Sequence, residues 1–269
     1  MSSSRIIRLI LMLLLFLGIV AYIIYIITRK PQGYTQEVCN GIVLTIAEDP
    51  RANFISEKTI EEILSKVKIN PVGRLMKDIN LQEIEKTIRL NQYVDSVECY
   101  KTANGKVCVR VSQRTPVIYV IPDSASSGYY VDSQGNIIPN TSYAADILVA
   151  TGDITRDYAK TSLVEFGKFL IDDSFWDNQI EQLHVTKSRG HDPFVELVPR
   201  VGEQTIYLGT IDDFQKKLRR LKVFYTKAMP LIGWNKYSRI NLEYPNQVIC
   251  TKRPIAPPPP PPETGLQPE

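Results

Sequence analysis

The sequence predicts an α+β protein: an N-terminal transmembrane helix, a small strand-helix-helix-strand-strand unit, and a larger unit of strands and helices. Three observations carry that expectation. Leu9 to Ile27 is a run of nineteen residues without a charge. Two stretches of helical periodicity follow, then two alternating strands around Ala103-Asn104-Gly105. Beyond Pro116, strand-like runs and two further helical stripes extend to Lys252.

The charge-free run spans roughly 28 Å as a helix, close to the hydrocarbon thickness of a bilayer. Its anchor positions include Leu9, Leu13, Phe16, Val20, Ile24 and Ile27, with Tyr22 and Tyr25 near the far end, where amphipathic rings favour the interface. A cleavable signal is the competing reading. Against it, the run exceeds the roughly 7–15-residue apolar core usual in a signal, and no small-x-small pattern follows. Arg5, Arg8 and the α-amino group outweigh Arg29 and Lys30 by only one charge; because residues 1–8 are too few for a domain, they are placed in the cytoplasm and the foldable bulk outside. The span is 9–28 and the linker, with Pro31 and Gly33, is 29–37.

Lys and Arg total 32 against 29 Asp and Glu. No acid precedes Glu37, and the four basic residues before it leave 28 against 29 for the remainder. A nearly neutral folded part argues against nucleic-acid binding, which needs a concentrated positive field. Two His and four scattered Cys offer little for a metal site. No cofactor is expected.

The first unit is expected over 38–115. Val43, Leu44 and Ile46 mark a strand, and Ser56 is placed to cap a helix carrying Ile60, Ile63, Leu64 and Val67. Asn80 with Glu83 reads as a capping box ahead of Leu81, Ile84 and Ile88. The hairpin Val94–Lys101 and Lys106–Gln113 then has two registers. A two-residue Asn104-Gly105 loop would put Val107, Val109 and Val111 on the face of Glu98 and Tyr100. A three-residue loop with Gly105 left-handed sets Cys99 opposite Val109 and Val97 opposite Val111, which makes one apolar face. The second is preferred. It sends Cys99 and Cys108 to opposite faces, against a disulfide between them.

The motifs Leu81-x-x-Ile84-Glu85, Tyr93-Val94-x-x-Val97, the alternating valines and Gln113-Arg114-Thr115-Pro116-Val117 resemble a POTRA domain and its following junction. With the anchor, they resemble the bacterial cell-division family FtsQ/DivIB. Tyr129-Tyr130-Val131-Asp132-x-x-Gly135 resembles that family's Val-Asp-x-x-Gly element. Further along come a helix at about Thr161–Ile171, strands at Ile180–Thr186, Phe194–Val198 and Thr205–Leu208, and a helix with Ile211, Phe214, Leu218, Leu221 and Tyr225 on one stripe. Closing strands at Arg239–Tyr244 and Gln247–Lys252 flank a turn at Pro245-Asn246. The resemblance implies that 116–253 is a mixed or antiparallel β-sheet domain with helices on one side. Two departures stand out: Gln113, where an acid is usual, and the six prolines Pro257–Pro262 in the tail 254–269, read as a disordered spacer.

Nothing points to catalysis. His184 falls in an alternating strand and His191 in the loop Ser188–Asp192, without ligands at metal spacing. Asp132-Ser133-Gln134-Gly135 is read as a turn, since the twelfth position of a calcium loop is not a carboxylate. Lys216, Lys217, Arg219, Arg220 and Lys222 are read as the solvated face of a helix.

The terminal strand is the candidate site. As the last strand it is expected at a sheet edge with unpaired backbone groups, which a partner strand can complete. The candidate partner-binding residues are Gln247, Val248, Ile249, Cys250, Thr251 and Lys252; the resemblance adds Tyr244. Replacing Ile249 with Pro is expected to abolish binding while the purified ectodomain stays folded. The resemblance implies a non-enzymatic divisome scaffold in the inner membrane at midcell, binding FtsB- and FtsL-like bitopic proteins, with other divisome proteins using the POTRA unit. The alternative is a POTRA-containing component of polypeptide secretion or outer-membrane assembly.

Overall fold

The computed structural model describes residues 3–28, 37–141, 143–188 and 190–254. Arg29, Lys30, the linker residues Pro31 and Gly33, and the proline run Pro257–Pro262 lie outside the described residues.

The N-terminal helix α1 covers Ser3–Thr28. Among the described residues, no helix is long and apolar enough to cross a membrane. The side chains of Leu9 and Ile27 lie outside the described residues. The expected transmembrane segment is formed as a helix, and its crossing of a membrane is not shown.

The described residues form two compact units that follow packing, not strict sequence order. The first takes those up to Thr45, with Glu57–Ile88 and Val97–Arg110; the second takes Ile46–Ser56, Arg89–Ser96 and the described residues from Val111.

A three-stranded sheet in the order β1-β3-β2 is built from β1 (Gly41–Ile46), β2 (Val94–Lys101) and β3 (Lys106–Gln113). Helices α2 (Glu57–Lys66) and α3 (Leu81–Arg89) bury Ile60 and Leu64, and Ile84 and Ile88, within the first unit. Glu83 N–H donates to Asn80 Oδ1 at 3.2 Å, the expected cap of α3. The hairpin loop has three residues: Thr102 N–H bonds Lys106 O at 2.9 Å and Gly105 has φ 69°. Continuing that pairing sets Cys99 opposite Val109, the preferred register. All four cysteines are free thiols. Cys99 N–H donates to Glu85 Oε1 at 2.7 Å, and burial together with the Glu85 charge pushes its thiol up to about 12.

The second unit holds a nine-stranded mixed sheet in the order β12-β11-β10-β9-β8-β7-β4-β5-β6. Its strands are β4 (Pro116–Pro122), β5 (Tyr129–Asp132), β6 (Ile137–Pro139), β7 (Leu148–Gly152), β8 (Ile180–Ser188), β9 (His191–Pro199), β10 (Thr205–Gly209), β11 (Tyr237–Asn241) and β12 (Ile249–Lys252). Three neighbouring pairs are parallel: β4 with β7, β7 with β8, and β10 with β11. Parallel neighbours require a crossover. Between β7 and β8 run α4 (Arg156–Tyr158), a π turn at Ala159–Leu163, α5 (Val164–Asp172) and α6 (Ser174–Asp177). Between β10 and β11 run α7 (Phe214–Lys227) and α8 (Met229–Ile232).

These helices share one core with the sheet: Phe166, Leu170, Trp176, Leu218, Leu221 and Tyr225 pack with Ile118, Ala150, Leu183, Val195, Ile206 and Ile240. Strand β8 shows the alternation, with Leu183 and Val185 buried and His184 exposed. On the other face His184 Nδ1 lies 3.0 Å from Thr151 Oγ1, and Arg239, bonded to Glu196 at 2.8 Å, stacks over Tyr207.

Several expectations need correction. The closing strands are shorter, because β11 ends at Asn241 and β12 starts at Ile249. Ile211 precedes α7 and is not part of it. His191 opens β9 and does not lie in a loop. The strands β4, β6 and β7 had no distinct signal.

The Val-Asp-x-x-Gly element is a turn knitted by one carboxylate. Asp132 is 4% exposed and accepts from Gln134 N at 2.9 Å, Asn136 N at 2.8 Å, Asn136 Nδ2 at 2.9 Å and Arg114 Nη1 at 2.7 Å. Gly135 has φ 82°, and a Cβ there would meet Lys160 O at 2.9 Å. Gln113 uses both ends of its amide, accepting from Phe54 N and Ile55 N at 2.8 and 2.9 Å and donating to Ala52 O at 3.2 Å. Phe54 stacks on Tyr93 and meets Tyr130 and Tyr143.

Burial pushes the Asp132 carboxyl up, but the hydrogen bonds from Asn136, Arg114 and Gln134 outweigh it and hold its pKa below the ordinary value. A depressed folded pKa contributes stability that is full above the unfolded value and lost as pH falls through the folded one. Asp132→Ala is expected to cost about 3 kcal/mol in denaturant unfolding, since it leaves Arg114 with only Asp95 at 4.0 Å and strands two turn amides. It should also flatten the loss of stability of the parent below the ordinary carboxylate range.

Candidate functional site at the terminal sheet edge

The last two strands owe their place to α7 and α8, which return the chain from β10 to lay β11 parallel beside it. The chain then reverses at Pro245-Asn246, with Asn246 at φ 60°, a left-handed conformation that Asn tolerates. It comes back as β12, antiparallel, with Asn241 facing Ile249, Ile240 facing Cys250 and Arg239 facing Thr251. β12 is the outermost strand of the sheet.

The phase of its backbone groups can be read from two bonds. Leu242 N–H donates to Tyr207 O at 2.9 Å, so Leu242 and Ile240 aim at β10 while Asn241 and Arg239 aim at β12. Arg253 N–H donates to Lys236 O at 3.0 Å, which puts Arg253, Thr251 and Ile249 in the inward phase. The N–H and C=O of Cys250 and Lys252 therefore point out of the sheet. Among the described residues nothing pairs with them.

Side chains divide differently. Cys250 and Val248 pack on the core, and burial pushes the Cys250 thiol up, so it is no ready nucleophile. Ile249, Thr251, Lys252 and Tyr244 are exposed. Gln247 and Val248, expected in the strand, lie outside it. The next β11-side residue due to face them, Glu243, has turned away: its N–H donates to Asn241 Oδ1 at 2.8 Å.

Arg220 Nη2 donates to Leu242 O at 2.6 Å and Tyr244 O at 3.1 Å, holding the entry to the terminal turn. At the exit, Arg253 Nη1 meets Glu203 Oε2 at 2.6 Å. Beside the turn is a cleft of about 560 Å³ lined by Asp213, Lys216, Lys217, Arg219, Arg220 and Glu243, among others.

The basic run is thus not simply a solvated face. Lys217 is only 8% exposed, and its Nζ donates to Thr210 O at 2.7 Å. Burial lowers its pKa, a shift only partly opposed by Asp212 and Asp213. Lys216 pairs with Asp213 at 2.8 Å and Lys222 with Asp173 at 2.9 Å. One sequence signal was available: Lys217 lies three residues after Phe214 and four before Leu221, on the apolar stripe. The role of Arg220 had no such mark, since its acceptors are backbone carbonyls about twenty residues away.

Among the described residues no group of three His, Cys, Asp or Glu gathers to hold a metal. The edge offers directional backbone hydrogen bonds flanked by an exposed tyrosine and isoleucine, which is chemistry for recognition of a strand.

Comparison with known families agrees with this architecture. Residues 37–112 match the model of a POTRA-like domain, and residues 115–251 match the model described as FtsQ/DivIB, C-terminal related. No curated protein matches the chain. The second match covers just over half of the protein and includes the parallel crossovers and the terminal edge, so the chain belongs to the FtsQ/DivIB family of division proteins.

Proposed function

We propose that this protein is a non-enzymatic divisome scaffold that captures FtsB- and FtsL-like bitopic proteins by strand addition to β12. In this reading it links early and late division proteins during septum formation. The observation that carries it is the outward phase of Cys250 and Lys252, since a docking strand needs a row of unspent donors and acceptors. The opposite edge of the same sheet is poorer: β6 has three residues, one of them Pro139. In the small sheet, the outer amide of Cys99 on β2 is already taken by Glu85.

The remaining parts take supporting roles. The charge-free run Leu9–Ile27 anchors the chain in the inner membrane, with residues 1–8 in the cytoplasm. The POTRA domain, 38–115, recruits other divisome proteins, and the β domain, 116–253, presents the docking edge at midcell.

The backbone phase moves the decisive substitution from Ile249 to Cys250. Ile249 N–H faces Asn241 inside the sheet, so Ile249→Pro would break the protein's own ladder. Cys250→Pro removes an outward donor, and proline is tolerated on an edge when its N–H side faces solvent. Cys250→Pro is expected to weaken binding of an FtsB-like ectodomain at least ~10-fold in surface plasmon resonance, a loss of about 1.4 kcal/mol. Its thermal unfolding should stay within a few degrees of the parent; undiminished binding would remove strand addition as the mode. Arg220→Ala frees two carbonyls at the turn and is expected to lower stability by about 1–2 kcal/mol and loosen the same complex. Depletion in the host, scored by microscopy, should give filamentous cells.

A further inference from the structure

Strand addition at β12 makes no use of the end of the first unit where the chain enters. Three backbone bonds tie the entering segment to the loop after α2. Cys39 N–H donates to Arg74 O at 2.8 Å, Gly73 N–H to Cys39 O at 2.9 Å, and Met76 N–H to Glu37 O at 2.8 Å. The hairpin turn joins the same end, with Asn40 N–H donating to Gly105 O at 2.8 Å.

The segment from Lys66, at the end of α2, to Lys77 carries Lys66, Lys68, Arg74 and Lys77; the exposed acids at this end are Asp78, just beyond it, and Glu37. All four cations are exposed. Lys101 adds a fifth cation by donating to Met76 O, and Arg74 folds back to donate to Lys68 O. Among these cations stand three valines that the unit does not bury: Val38, Val67 and Val72 are 43%, 52% and 49% exposed. Their neighbours Ile69, Pro71 and Met76 are buried. Left-handed turns at Lys68 (φ 60°) and Gly73 (φ 82°) reverse the chain beside Val67 and Val72.

Proximity supplies the occupant. Glu37 lies nine residues beyond Thr28, the last residue of α1, so the tied segment sits within about 30 Å of that helix's end. With α1 held in a bilayer, this end of the unit stays at the membrane surface at high effective concentration. Apolar tips among basic side chains suit a negatively charged interface: the valines enter the headgroup region and the cations meet phosphates.

We infer that the loop Lys66–Lys77, with Val38, is a contact surface for anionic phospholipid that lays the first unit against the bilayer. This rests on the anchor reading of α1. The test uses the full chain in nanodiscs of phosphatidylcholine alone or with phosphatidylglycerol, followed by hydrogen exchange. Amides of residues 66–77 should exchange roughly tenfold more slowly in the anionic discs. High salt should erase the difference, because exposed charges are screened. The triple variant Lys66→Glu, Lys68→Glu, Arg74→Glu should erase it too, while exchange in α7 stays unchanged as a control for folding.

Equal exchange in the two disc types overturns the inference and leaves the anchor standing. Protection that survives both salt and charge reversal also overturns it, in favour of a protein contact. Release of the chain from membranes by carbonate would remove the anchor, and the lipid contact with it.

Discussion

Backbone hydrogen bonding in a mixed sheet is the constraint from which the second unit follows. Strands that lie parallel cannot be joined by tight turns, so each parallel neighbour brings a long crossover. Two of those crossovers are helical here, and both contribute to one core on one face of nine strands. A sheet so built satisfies its interior strands on both flanks and leaves the demand unmet only at its margins. Where the margin falls is therefore set by the core, through α7 and the return of β11.

The terminal margin is held by cations that act on backbone groups as much as on acids. Arg220 reaches two carbonyls in the turn, and Lys217 reaches the carbonyl of Thr210 at the head of α7. A helix that would otherwise be only a cover becomes a brace for the chain leaving β11. Its cost is burial of Lys217, visible in the depressed basicity of that amine. Such a brace fixes the strand from behind and leaves its outer flank untouched.

Much of this was legible in the residues. Val107, Val109 and Val111 could share their face with Val97 and Cys99 in only one hairpin register, so the three-residue loop followed from alternation alone. The Asn80–Glu83 spacing marked a helix start for the same local reason. The terminal edge was readable because Pro254 ends the run, and β12 is indeed outermost. Pairings between distant segments were not readable: β4 lies beside β7 across an intervening hairpin, and β6 is too short to show a period. Gln247 and Val248 look like strand residues by propensity. The N–H of Glu243, which should meet them, is taken by the side chain of Asn241, and the ladder ends before they arrive. Lys217 was misread because a cation on an apolar stripe looks solvated until a carbonyl is found for it.

The amide of Gln113 bears on how members of such a family diverge. It accepts two hydrogen bonds from one peptide stretch and donates one to a carbonyl just upstream, a three-way knot that a carboxylate cannot tie. Where a relative carries an acid at this point, the stretch equivalent to Ala52–Ile55 has to be drawn by other means. The loop there and the residue at this position should consequently change together as the lineage branches, an inherited pairing detectable by comparing genomes alone.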